Sequence, residues 1–227
     1  MSWYAKPSGT YAIDSNEAKS NMIEIYNTLK PLGFTDESIS GLIGNCYSES
    51  GLNPWRWQSD FVDSNNGYGL YQYTPATSYL NGAKNLEGYS PNLSVSSQTT
   101  GATPEDGKAQ TLAFANNTLG KWIGDCWSPL WDENEYPELY QFSRLILNAY
   151  GYGSILTLNQ YKTITDITSA TFAFLACYER PLIPNPHPRY TNANIAYQVI
   201  TGQTPPTPTP IPTKKKMPLW FYLRPYF

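Results

Sequence analysis

The sequence predicts a mainly α-helical domain with a small β-hairpin beside a cleft, and three observations carry that prediction. Apolar residues recur at helical spacing in several stretches, a Gly-rich turn precedes one short alternating run, and beyond Gly202 the chain becomes Pro- and Thr-rich. The 227 residues are enough for one substantial domain with its own core. Helices are expected at Asn16–Leu29, Ser38–Ser50, Glu105–Leu119, Pro137–Ala149, Ile164–Glu179 and Asn192–Thr201.

The second of these helices is the most informative. Thr35, Asp36 and Glu37 supply a capping-type residue and acids for its first turn. Ile39, Leu42, Ile43, Cys46 and Tyr47 then line one face, and Glu49 falls on that same face. Gly51 suits a helix-ending position, and Pro54 prevents continuation. A carboxyl beside Leu42 and Cys46 would lose hydration, which disfavours its charged form.

Asp63 follows fourteen residues after Glu49 and leads into Asn65-Asn66-Gly67-Tyr68-Gly69. Glycines there let a ligand approach the backbone closely. Leu70 to Thr74 alternates like a short strand and ends at Pro75, so a hairpin-like turn is expected to face the helix end. Residues 82–104, rich in Gly, Ser, Thr and Asn, suggest a long surface loop or flap. The helix beginning at Ile164 carries Ile167, Ala170, Phe174 and Cys177 at helical spacing.

One carboxyl on a mostly buried helix end and another on a Gly-rich turn are what cleavage of a sugar–sugar bond requires. One acid must hold a proton near neutral pH, while the other stays ionised near water. Each half has a bland reading. Most helical Glu residues are solvated, and an Asn-Gly turn is common.

Glu49-Ser50-Gly51-Leu52-Asn53-Pro54 followed by Gly67-Tyr68-Gly69-Leu70-Tyr71-Gln72 resembles the lysozyme-like superfamily shared by goose-type lysozymes and soluble lytic transglycosylases. From Ile39 to Gln72 the chain is similar to the phage tail-tip lysozyme domain of tail-knob proteins that pierce Gram-positive walls. A looser likeness covers Asn16–Leu29 and Phe172–Pro181, and most of residues 10–201 in all. The resemblance implies a lysozyme-like α+β fold with the catalytic acid at Glu49. Goose-type enzymes carry an Asp four residues before the Gly-aromatic-Gly run, which here is Asp63. Their second Asp falls where this chain has Thr74. Asp63 therefore favours hydrolysis, whereas Thr74 keeps the single-Glu transglycosylase outcome open. Asp60 is a competitor for the water-positioning role.

Trp55, Trp57, Tyr68, Tyr71 and Tyr73 flank the expected cleft and are candidates for glycan contact, with Gln72, Tyr71 and Tyr178 orienting the sugar. Buried packing is an equal alternative for the aromatics. Glu179 reads as structural, pairing with Arg180 or capping a loop.

The exclusions are as useful. Cys46, Cys126 and Cys177 form no metal-ligand spacing, and His187, in a Pro-rich loop, is the only His. Neither a metal nor any other cofactor is expected, and a zinc peptidase is excluded. Cys46 and Cys177 lie on apolar helix faces, as core residues do, and one disulfide with a leftover thiol is an open arrangement. The chain starts Met-Ser-Trp-Tyr without the charged start and apolar core of a secretory signal. A wall-degrading enzyme of that kind is expected to act after lysis or from within a virion, at the tail tip.

Three units are expected: a lysozyme-like domain over 1–202, a Pro/Thr linker over 203–213, and a basic-aromatic tail over 214–227. Lys214, Lys215, Lys216 and Arg224 give the tail four of the fifteen basic residues, beside Trp220, Phe221, Tyr222, Tyr226 and Phe227. Such a tail suits docking to another phage tail protein, with membrane-surface contact as the alternative. Peptidoglycan glycan strands are the expected substrate, and no nucleic-acid partner is expected. A non-catalytic wall-binding protein that keeps the cleft as a lectin is the reading from a different class.

Overall fold

α1 (Ser15–Leu29) starts where Asp14 accepts the N–H groups of Asn16 and Glu17, while the Glu17 carboxylate accepts the Asp14 N–H at 2.7 Å. α2 (Asp36–Ser50) starts at Thr35, whose hydroxyl accepts the Ser38 N–H at 3.1 Å. It ends at Gly51 in the left-handed conformation, whose N–H donates to the Tyr47 carbonyl. The computed structural model describes residues 3–6, 13–80, 106–151 and 153–207. The loop expected at 82–104 and the tail expected at 214–227 lie outside the described residues.

α2 is the central helix. Its residues from Ser38 to Cys46 are all buried, and its neighbours are α7 (Ile167–Phe174) and α8 (Pro186–Thr201). Two glycines permit the approach. A Cβ on Gly41 would stand 2.6 Å from the Thr171 backbone nitrogen, and one on Gly44 would stand 2.5 Å from the Arg189 carbonyl oxygen. Between them Asn45 donates to the carbonyls of Gly41 and Thr171, tying α2 to α7. α1 packs beside α2, and Asn21 donates to the Leu52 carbonyl at 2.8 Å, fixing the turn that follows α2.

The remaining helices close the core. α4 (Asp106–Ala115) lies against α1, and α5 (Pro137–Tyr150) against α7. Two short helices, α3 (Ala76–Leu80) and α6 (Leu158–Lys162), arise where no helix was expected. Thr157 and Gln160 form a reciprocal capping box that stabilises α6. The helix expected at Ile164–Glu179 begins later, because Asp166 caps it by accepting the Ser169 N–H at 2.7 Å. It also changes character: Leu175–Glu179 is a π turn, closed by the Arg180 N–H on the Leu175 carbonyl. α8 begins six residues earlier than expected, at Pro186. Prolines are tolerated there because first-turn N–H groups have no helical partner. His187 therefore sits in a helical first turn rather than in a loop.

The expected β-hairpin is not confirmed as a regular pair of strands among the described residues. Among the described residues there are only isolated antiparallel bridges, Trp57 with Tyr68 and Tyr68 with Tyr73. Tyr68 and Tyr73 exchange backbone hydrogen bonds of 3.2 and 2.9 Å, and Gly69 to Gln72 form the turn between them. Gly69 at φ +79° and Gln72 at φ +41° bend the chain back. Leu70, Tyr71 and Tyr73 are all buried, so the segment lacks the one wet face that alternation implies.

The turn is held by α4. Gln110 accepts the Leu70 N–H at 2.6 Å and donates to the Pro54 carbonyl at 2.8 Å. A Cβ on Gly69 would lie 2.3 Å from the Gln110 Oε1, so only glycine fits there. Ser50 donates to the Leu70 carbonyl, joining the turn to the end of α2.

Candidate active site

Glu49 lies one residue from the end of α2, with about a quarter of its side chain exposed (24%). Its Oε1 accepts Nη2 of Arg189, a residue from the first turn of α8 that is 7% exposed. The same guanidinium donates through Nη1 to the Asn45 Oδ1 at 3.1 Å. One arginine thus reads two residues on one face of α2, four positions apart. The apolar surroundings expected for Glu49 are replaced by an ion pair on one carboxyl oxygen.

Glu179, at the end of the π turn, lines the same cleft. Its Oε1 is enclosed and makes no hydrogen bond. Burial pushes its carboxyl well above the usual carboxylate range; the charge of Glu49 pushes the same way, and Arg189 opposes both. The expected pairing with Arg180 does not occur. Arg180 pairs instead with Asp125 and donates to the Trp127 carbonyl. The left-handed backbone at Arg180 (φ +50°) turns it away from the preceding helix.

The cleft has a volume of about 370 Å³ and is lined by Glu49, Arg56, Gln58, Gln72, Glu179 and Leu182, among others. A hollow of about 210 Å³ adjoins it through Glu49 and Arg56. Another of about 140 Å³ adjoins it through Gln72, Thr74 and Glu179. The central cleft shares lining residues with each of the two hollows, and together they form a polar groove in which Glu49 lines the cleft and the first hollow. Leu182, which lines the central cleft, is an exposed apolar side chain.

The other candidate residues divide. Gln72 lines the groove, its amide donating to the Gly69 carbonyl at 2.9 Å. Tyr71 and Tyr178 line the smaller hollow, their rings 6.1 Å apart edge-on, although Tyr71 is almost wholly buried. Trp57 and Tyr68 are core residues at 1% exposure each, packed together at 4.8 Å. Trp55 is half-buried and packs against the core. Asp63 is not among the residues lining the groove; its Oδ1 accepts the Asn65 N–H at 2.8 Å, an Asx-type turn. Asp60 pairs with Arg56 at 2.9 Å.

Sequence reasoning overlooked Arg56, Arg189 and the placement of Glu179 in the cleft lining. The argument applied to Glu49, an acid ending an apolar helix, applies equally to Glu179, which follows the fully buried run Phe172–Cys177. All three cysteines are buried free thiols, with Cys126 and Cys177 in contact. Burial pushes the Cys46 and Cys177 thiols well up, which suits core residues rather than nucleophiles. Among the described residues, no group of three or more His, Cys, Asp or Glu could hold a metal ion.

A helical domain with an acid at a central helix end, facing a long polar groove, has the layout of a lysozyme-like protein. Residues 20–200 match the phage tail lysozyme family, and the chain belongs to that family. It is also similar to Morphogenesis protein 1 of Bacillus phage B103, with 26% identity over 192 residues. That alignment covers 84% of this chain and 42% of the relative, so the chain spans less than half the length of the protein it matches.

Proposed function

We propose that this domain cleaves the glycan strands of bacterial peptidoglycan, as part of a phage tail component that opens the wall for genome delivery. The observation that carries the proposal is Glu49 lining both the central cleft and an adjoining hollow, partly exposed and held by Arg189. A polymer needs subsites on both sides of the scissile bond, and hollows with shared walls supply them. Glu49 Oε1 is engaged by Arg189, leaving the second carboxyl oxygen for the substrate. Glu49 donates its proton to the glycosidic oxygen, the C–O bond breaks towards the leaving sugar, and positive charge develops on the other ring. Gln72 and Tyr178 orient the sugars.

What ends the reaction separates two readings. If Asp63 guides a water to the sugar, the enzyme is a hydrolase. Asp63 lies outside the groove lining, which favours the second reading, in which the sugar's own hydroxyl closes an anhydro ring, as in lytic transglycosylases. The tail over 214–227 is proposed to dock to other tail proteins. Membrane contact is the alternative. Action from the virion tail tip at the host wall follows from this assignment.

The test is mass spectrometry of muropeptides released from purified cell walls by the wild-type protein and by Glu49→Gln. Glu49→Gln keeps the shape but has no proton to give, so release is expected to fall by ~100-fold or more. Near wild-type release by that variant would sink the proposal. Reducing or anhydro ends on the wild-type products distinguish hydrolysis from the transglycosylase outcome.

A further inference from the structure

Arg189 raises a question about Glu49. A guanidinium against a carboxylate favours its charged form, whereas an acid catalyst has to carry a proton. Something in the groove has to push the other way. Glu179 is the only other carboxylate that lines the central cleft among the described residues, and the π turn delivers it there. Its Oε1 is enclosed without a hydrogen-bond donor. That oxygen has no donor to stabilise a charge on it, whereas Glu49 Oε1 has the Arg189 guanidinium.

We propose that Glu179 and Glu49 bind one reaction proton as a pair, with Glu179 as a positioning residue that sets the pH at which Glu49 can act. The inference rests on the proposed role of Glu49 and adds a second carboxyl to it. At low pH both carboxyls are protonated. As pH rises the first proton leaves, and the remaining charge is held by Arg189. The last proton is retained by the pair, because a second negative charge in the same desolvated space is opposed by the first. Delivery of that proton through Glu49 to the glycosidic oxygen leaves both carboxylates ionised, and the pair takes back the proton that the attacking sugar hydroxyl or water releases as its new bond to the sugar forms.

The surroundings agree with this division. Glu179 acts electrostatically with Glu49 and Arg189, and its charge raises the Cys46 thiol on α2 and the Tyr178 hydroxyl on its own turn. Arg56 shares the central cleft with it and Lys121 the smaller hollow. Cys46, Tyr71 and Tyr178 are pushed well up by burial and stay neutral, so the charge balance belongs to the two carboxyls and Arg189. Burial and the facing Glu49 hold the Glu179 carboxyl well up.

The test is the pH profile of muropeptide release from purified walls, from pH 4 to 8, for wild type, Glu179→Gln and Glu49→Gln. Removing the like charge is expected to move the alkaline limb of Glu179→Gln to lower pH by about one unit or more. Release near pH 7 should then fall at least tenfold, with recovery towards pH 4–5. An unmoved limb, whether the rate is retained or uniformly lowered, overturns the inference, since a merely structural role lowers rate at every pH alike. Persistent release by Glu49→Gln would instead overturn the underlying reading. Should Glu179→Gln fold poorly, carboxyl ¹³C NMR of wild-type protein labelled at Glu serves in its place. The Glu49 and Glu179 carbons are expected to show the same two titration steps. Independent single steps would overturn the pairing.

Discussion

Glu179 meets the groove with one oxygen enclosed and no hydrogen bond, and that has a consequence for stability as well as for chemistry. Its carboxyl is raised well above an ordinary value near 4.5, mainly by burial and then by Glu49. A raised carboxyl binds its proton more tightly in the folded chain. Its contribution is therefore fully present below about pH 4.5 and is lost as pH rises through the raised value. Glu179→Gln has no proton to lose at this position. The expected outcome is that the variant's melting temperature, relative to wild type, increases from pH 4 to pH 8. Thermal melts across that range check it, and a constant difference would show that Glu179 does not titrate as described. Legibility at this scale was uneven. Glu49 could be read because a family motif and an apolar helix face coincided on it. Glu179 carried the same signal, an acid ending an apolar helix, but the neighbouring Arg180 offered an easy pairing and nothing in the spacing announces the π turn that brings it to the cleft.

At the scale of elements, the groove depends on how closely α8 approaches α2. Arg189 reaches Glu49 because Gly44 lets the α8 backbone pass with no intervening side chain. A methyl group there would meet backbone at 2.5 Å from the Arg189 carbonyl and 2.7 Å from the Ala193 nitrogen, neither of which can swing aside. Gly44→Ala improves intrinsic helix propensity by about 1 kcal/mol, but overpacking typically costs about 1–3 kcal/mol. With rigid backbone as the obstacle, the clash prevails. The variant is expected to lose on the order of 1–2 kcal/mol net, or roughly 2–8 °C for a domain of this size. Wall lysis well below the melting temperature should fall too, because Arg189 moves with α8. Unchanged melting and lysis would mean that the helices part without cost. α1 and α5 were legible because a 3.6-residue period survives where one face is buried, whereas α7 is buried along its whole length. α8 was cut short by its prolines, and the hairpin was misread because Leu70-Tyr71 is buried on both sides of the chain.

For the whole molecule, membership of the phage tail lysozyme family covers residues 20–200 and leaves the C-terminal part to physical argument. α8 finishes at Gly202 in the left-handed conformation, its N–H donating to the Gln198 carbonyl. Beyond it, Gln203 to Thr207 form no helix or strand and are mostly exposed. Every described residue lining the groove precedes that point. The sequence that follows is Pro-Thr, then three lysines, then aromatics, a composition suited to reaching a partner rather than completing a core. Truncation after Gly202 is therefore expected to leave the melting temperature and muropeptide release of the isolated protein unchanged. It should reduce self-association, membrane attachment or incorporation into a particle. Ionic strength separates the partners: lipid attachment through Lys214, Lys215 and Lys216 weakens at high salt, since screening acts over about 8–10 Å at 0.1–0.15 M. Docking of Trp220, Phe221 and Tyr222 into a protein surface persists, because burial of apolar area is insensitive to screening. If truncation instead lowers the melting temperature and abolishes release, the tail packs back onto the domain and the three-unit division at Gly202 is wrong.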